Sequence, residues 1–214
     1  MFIHEMFSIE YLSFVKMLSN RAVVLDIEGF QHKNQSFVIK ELSVCTEDYL
    51  DNILFLPPRD SSTLKPDEIK SFNWLTNNLH GIDWSIGSYP YIYLPQILQS
   101  VCLRNPRATF FAKGLEKSKV LSEFLNQPVT NLDDLGCPKI DKNPFVESKF
   151  NCPNHQSLSK QRCQRLHCTK EKSQFYFNWL TNERGIDEAG GTVIPGISNL
   201  RLYWPIKFNQ RQHY

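Results

Sequence analysis

The stretch RAVVLDIEGFQHKNQSFVIKELSV (residues 21–44) decides how this 214-residue chain is read. Its halves, RAVVLDIEGF and SFVIKELSV, are β-branched and strongly apolar, and the polar QHKNQ between them is the signature of a hairpin. Asp26 and Glu28 lie two apart in the first half, so a strand projects both carboxylates from one face, at the end of the apolar run VVL. Like charges this close repel unless a cation sits between them, and a hard divalent ion such as Mg²⁺ favours oxygen ligands of this kind. The pair therefore reads in two ways: as metal ligands for phosphodiester chemistry, or as the polar end of a strand in solvent.

Outward from the hairpin, DNILFLPP (51–58) reads as a third strand stopped by two prolines. Ile69, Phe72, Leu75 and Leu79 mark a helix from Pro66 to a C-capping Gly81, and LPQILQSVCL (94–103) fits a second. RATFFAK (107–113) reads as a strand, KGLEKSKVLSEFL (113–125) as a helix and PVTNLDDL (128–135) as a short strand with its loop. That alternation predicts parallel pairing, because each helix can form a crossover. Residues 137–170 show little periodicity, and a last helix is expected over 171–184. Phe7, Tyr11, Phe14, Val15 and Leu18 recur at helical spacing, which predicts a capping helix within residues 1–20. The expected organisation is one α/β domain over 21–185, a mixed sheet flanked by helices, with a tail (186–214) packed on or extending it. FNWLTN occurs at both 72–77 and 177–182, which reads as shared helix-end chemistry because it is too short for a repeat architecture.

Composition bounds the chemistry. With 41% hydrophobic residues the chain can bury a sizeable core, and Lys+Arg 24 against Asp+Glu 22 leaves a net charge of +2. Attraction to nucleic acid must then come from local clustering of charge. The apolar stretches fall far short of the roughly 20 residues of a membrane span. The opening MFIHEMFSIEYLSFVKMLSN is interrupted by Glu5, Glu10 and Lys16, unlike a signal peptide, so an intracellular, reducing location is expected. The six cysteines are then thiols or metal ligands; Cys45 and Cys102, among apolar neighbours, are expected to be buried thiols.

Cys152-Pro-Asn-His155 has the two-residue spacing that lets two side chains grip one zinc ion, and Cys163, His167 and Cys168 follow closely. A loop this poor in apolar residues needs a metal to order it; ordinary thiols and a solvated His155 are the alternative. Lys160, Arg162, Arg165, Lys170 and Lys172 form a basic run, and Lys113, Lys117 and Lys119 cluster on the helix after the fourth strand. Both groups suit phosphate contact, or a solvated helix face. In the tail, Tyr203, Trp204 and Phe208 beside Arg201, Lys207 and Arg211 could stack bases or pack on the core.

VVLDIEGF followed by VIKELSV resembles the first motif of the DEDDh exonucleases of the RNase H-like superfamily, a D-x-E strand before a second apolar strand. ATFFAKGLEKSKVLSEFL (108–125) and HCTKEKSQFYFNWL (167–180) occupy the places of the second and third motifs, so the likeness covers most of residues 21–182. It implies Asp26 and Glu28 as Mg²⁺ or Mn²⁺ ligands and His167 as the base that activates water. Where the second motif carries an aspartate this chain has Ser118, flanked by Lys117 and Glu116, and the aspartate of the third is Lys172. A lysine ammonium repels a metal, so two of the four carboxylates are gone and the resemblance implies a degenerate site, unless Glu116 or Glu171 substitutes from the neighbouring position.

A second resemblance, to the Maelstrom domain of the piRNA pathway, concerns a DEDDh-like fold that replaced its exonuclease carboxylates with a Glu-Cys-His-Cys zinc site. It implies Cys152, His155, Cys168 and Glu41 as the ligands, with Cys163 competing, although this chain retains Asp26 and Glu28. The expectation that follows is an RNase H-like fold with a zinc-stapled loop that binds single-stranded RNA or other nucleic acid through Lys113, Lys117, Lys119, Arg162, Arg165, Lys170 and Lys172. An active metal-dependent nuclease and a protein-interaction scaffold are the alternatives, and no membrane partner is expected.

Overall fold

The computed structural model of the chain describes residues 22–32, 36–140 and 168–182. The expected capping helix, the tail, and Cys152, His155, Lys160, Arg162, Cys163, Arg165 and His167 lie outside the described residues.

Five strands form one mixed sheet: β1 (Ala22–Gln31), β2 (Phe37–Cys45), β3 (Leu50–Leu54), β4 (Thr109–Ala112) and β5 (Val129–Asn131), in the spatial order β3-β2-β1-β4-β5. The first three are antiparallel neighbours, as short connections dictate, and β4 and β5 pair in parallel beside β1 through helical crossovers. The helices are α1 (Pro66–Leu75), α2 (Leu94–Arg104), α3 (Leu115–Leu125) and α4 (Thr169–Asn182). A wide turn, Thr76–His80, extends α1 to Gly81, whose φ of 71° is the left-handed stop that the sequence predicts there.

Alternation along β1 sends its residues to two different layers. Val23, Leu25 and Ile27 pack with Leu42, Val44, Phe110 and Ala112 against Leu94, Leu98 and Val101 of α2 and Leu121 of α3. Val24, with Cys45 and Phe111, meets Tyr176, Trp179 and Leu180 of α4. A third cluster, Phe30, Val38, Phe72 and Trp84, closes the far end of the hairpin under α1. A strand buried on both faces reads as a continuous apolar run, which is why VVLDI contains no polar residue before Asp26.

The pairing register steps from Glu28 opposite Glu41 to Gly29 opposite Ile39, which leaves Lys40 as the extra residue of a bulge. Gly29 is required there, because a Cβ would stand 2.0 Å from the Val38 carbonyl oxygen. Element boundaries differ from expectation by a few residues. The third strand stops at Leu54, before the prolines, and the last helix starts at Thr169, two residues early, which sets Cys168 directly before its first turn. Cys45 is buried as expected, and burial pushes its thiol up to about 12. Cys102 corrects the expectation: it is only half-buried, with the Gln127 amide 2.9 Å from its sulfur. Among the described residues, no helix is long and apolar enough to cross a membrane.

Candidate functional site

Asp26 and Glu28 share the sheet face covered by α4, as their two-residue spacing requires, opposite Ser43 and Glu41 of β2. Neither reaches solvent freely, with 1% and 8% exposed. Charge at that depth demands partners, and two lysines supply them. Lys117, in the first turn of α3, donates to Asp26 Oδ1 at 2.8 Å and to Glu28 Oε1 at 2.9 Å. Lys172 of α4 donates to the same Glu28 oxygen at 2.6 Å and stands 3.9 Å from Asp26 Oδ2. Two carboxylates and two ammonium groups thus form an ion quartet with no formal net charge, between the sheet and two helices.

The quartet's members are not equivalent. Burial opposes ionisation of Glu28, but the Lys117 and Lys172 charges and their hydrogen bonds outweigh it and hold the carboxyl well below its ordinary value. Burial dominates at Asp26 and raises its pKa despite both lysines, in keeping with an Oδ2 that has no hydrogen-bond partner among the described residues. Burial lowers the Lys117 pKa, and the Asp26 and Glu28 carboxylates more than reverse it, so the ammonium is held above its ordinary value. A divalent ion at these oxygens would have to displace both ammonium groups.

Of the residues around the second motif, Lys117 enters the site. Ser118 is buried but bonds back to the Gly114 carbonyl at 3.0 Å, and Glu116 is exposed, so neither replaces a lost carboxylate. Lys113 turns to Asp133 and the Cys137 carbonyl. Lys119 is exposed and Lys170 half-buried. The expected convergence of the two basic groups is real for Lys117 and Lys172, which meet at one Glu28 oxygen, but their ammonium groups are turned onto carboxylates instead of outward to phosphate.

Beside the quartet, Glu41 is fully buried on the same sheet face. Asn52 of β3 donates to Glu41 Oε1 at 3.2 Å and to the Thr169 hydroxyl at 2.9 Å, and the Thr169 backbone N–H reaches Glu41 Oε2 at 3.4 Å. Thr169 is next in chain to Cys168, which is buried as well. Among the described residues there is no cluster of three or more metal-ligating side chains.

No protein-family model and no curated protein sequence matches this chain.

Two functional-looking residues were not anticipated. His80 is buried below the bulge; the Ile82 N–H donates to Nδ1 at 3.1 Å, which fixes the tautomer, so Nε2 donates to the Gly29 carbonyl at 3.1 Å. Burial, with help from both lysines against the opposing pull of Glu28 and the Gly29 bond, lowers its pKa to about 4, so the ring is neutral at physiological pH. Lys40 is completely buried and donates to the carbonyls of Phe55, Trp84 and Ile86 at 2.6, 2.8 and 2.7 Å, while burial pulls its pKa down to about 8. The signal was a lysine inside the apolar run FVIKELSV.

Proposed function

We propose that the chain is a nuclease-like domain of RNase H-like architecture that has exchanged phosphodiester chemistry for binding of single-stranded RNA. The observation that carries the reading is the ion quartet: Lys117 and Lys172 hold, with their own charges, the two carboxylates that would otherwise recruit Mg²⁺ or Mn²⁺. Two-metal hydrolysis needs open positions at the ions for the attacking and leaving oxygens, and these carboxylates face fixed side-chain cations instead. The order of three antiparallel strands followed by two parallel ones supports the architecture, together with the D-x-E position at the centre of the sheet.

In this reading Glu41 and Cys168, with Cys152 and His155 from the intervening segment, bind one structural zinc ion, which would tie that segment to the start of α4. With Lys117 and Lys172 committed to carboxylates and Lys113 to Asp133, phosphate contact falls to Lys119 and Lys170, joined in this reading by Arg162 and Arg165. The test is single-stranded RNA binding across a salt series for the wild type, Lys119→Glu with Lys170→Glu, and Arg162→Glu with Arg165→Glu. Each phosphate contact removed should flatten the slope of log affinity against log salt by roughly 0.7. Unchanged slopes in both variants would dismiss this surface. Absence of binding by the folded wild type at low salt would favour a protein-interaction scaffold.

A further inference from the structure

We infer that segment 82–90 is a strap fastened to the sheet by a cation, and that this cation is the ammonium of the chain's own Lys40. Between Gly81 and Tyr91 the backbone is neither helix nor strand apart from one bridge between Tyr89 and Phe55, so its inward carbonyls need partners from outside the segment. Lys40 supplies them. The bulge sets this residue apart from the Glu41 face, and its Nζ donates to the carbonyls of Trp84 and Ile86 within the strap and of Phe55 just after β3. Three acceptors at 2.6–2.8 Å take three N–H donors, which a lysine has only as an ammonium; the neutral amine would leave one carbonyl unmet. Among the described residues no carboxylate hydrogen-bonds to Nζ, and Asp83, itself in the strap, adds a longer-range attraction. Burial brings the pKa down only to about 8, so the group is still charged at neutral pH.

The rest of the strap is held at its two ends. At one, the Trp84 ring stacks on Phe72 with centroids 5.0 Å apart, and its Nε1 donates to the Arg59 carbonyl at 3.2 Å. At the other, the Ser88 and Tyr89 N–H groups donate to the Leu54 carbonyl, and the Leu56 N–H donates to that of Tyr89. Lys40 ties the middle. Its ammonium lies 6.0 Å from the centre of the Trp84 ring, a cation–π distance, and the strap runs so close to the sheet that a Cβ on Gly87 would stand 2.3 Å from the Phe55 carbonyl oxygen. Tyr89 and Pro90, at the end of the strap, line an open groove with Tyr93 and Ile97. A charge buried beneath the surface thus sets one wall of that groove. The three carbonyls form a cage for an ammonium group, so a cage emptied of lysine is expected to accept a free alkylammonium ion.

The experiment uses the full chain and reads hydrogen exchange at the Leu56, Ser88 and Tyr89 amides, which close the strap, against the amides of β2, which report opening of the sheet. Lys40→Met removes the charge and keeps an apolar stem; the strap amides are expected to exchange about tenfold faster, with a smaller change in β2. Lys40→Ala makes room for n-propylammonium, which replaces the three carbons and the ammonium removed and should return the strap to wild-type rates. Tetramethylammonium, charged but without N–H donors, and 1-propanol, of similar shape but uncharged, should not. Wild-type strap rates in Lys40→Met, or equal rescue by 1-propanol, would overturn the inference, because packing and not charge would then fasten the strap. The wild type decides the matter even where Lys40→Ala does not fold. With nitrogen-labelled lysine, a slowly exchanging ammonium resonance that disappears in Lys40→Met is expected at neutral pH, and its absence would contradict a buried cation.

Discussion

Two buried acidic corners lie side by side on one sheet face, and they are held in different ways. At Asp26 and Glu28 the carboxylates are matched by two ammonium groups at 2.6–2.9 Å. At Glu41, the donors described are the Asn52 amide and the Thr169 backbone N–H. The first corner is closed by charge, and removing one member leaves an uncompensated ion among buried groups. At the second, the two described donors are neutral dipoles, one from a side chain and one from the start of a helix. A shared helix joins them, since Lys172 and Thr169 are both in the first turn of α4.

The largest expected effect comes from opening the closed corner. Lys172→Met should lower the unfolding free energy in urea by about 4 kcal/mol, and pairing it with Glu28→Gln should restore much of that loss, because the double variant buries less unpaired charge. Strict additivity of the two substitutions would break the quartet as an energetic unit.

Acid should open the molecule next to that corner. His80 titrates at about 4 when folded and near 6.5 when unfolded, so the unfolded state binds more protons between those values and stability falls as pH drops through them. The loss is about 3 kcal/mol, and His80→Gln should flatten it. Glu28, lowered from 4.5, adds a second loss below that pH, whereas Asp26, raised from 3.8, opposes it by taking up a proton in the folded state. Lys117, raised from 10.5, contributes stability that is present below 10.5 and lost as pH rises above it. Equal acid slopes in wild type and His80→Gln, followed by urea unfolding at each pH, would remove His80 from this account.

The Asn52 contacts of the second corner should respond less. Asn52→Ala deletes neutral hydrogen bonds and is expected to cost about 1 kcal/mol in metal-free protein. A cost matching that of Lys172→Met would erase the contrast between the corners. The smallest effect expected is on adding millimolar Mg²⁺, which should leave the melting temperature unchanged, since an ion that cannot enter the quartet cannot stabilise the fold by mass action.

Much of the sheet was legible because β1 and β2 are adjacent in sequence and buried on both faces, so composition and turn residues alone locate them. The two carboxylates were legible for the same reason: a charge inside VVLDIEGF is conspicuous. Their partners were not. Lys117 and Lys172 lie 89 and 144 residues from Glu28, and a lysine in the first turn of a helix looks the same from sequence whether it faces phosphate or a carboxylate. Both were read as phosphate contacts; only the packing of α4 on β1, with α3 beside β4 and β5, reveals their direction. Lys40 escaped notice because a bulge, invisible in the alternation pattern, sets it apart from the Glu41 face. Cys102 looked buried because its neighbours are apolar, yet it packs only at the margin of the core, with the Gln127 amide beside its sulfur.

The central claim is that the Asp26–Glu28 pair is occupied by lysine and that the domain binds RNA without cutting it. The most direct measurement is a gel of end-labelled single-stranded RNA incubated with the purified full chain at low salt in Mn²⁺, run once under native and once under denaturing conditions. The account predicts a retarded band in the first and full-length RNA in the second. Mn²⁺-dependent shortening of the RNA that disappears in Asp26→Ala would contradict it.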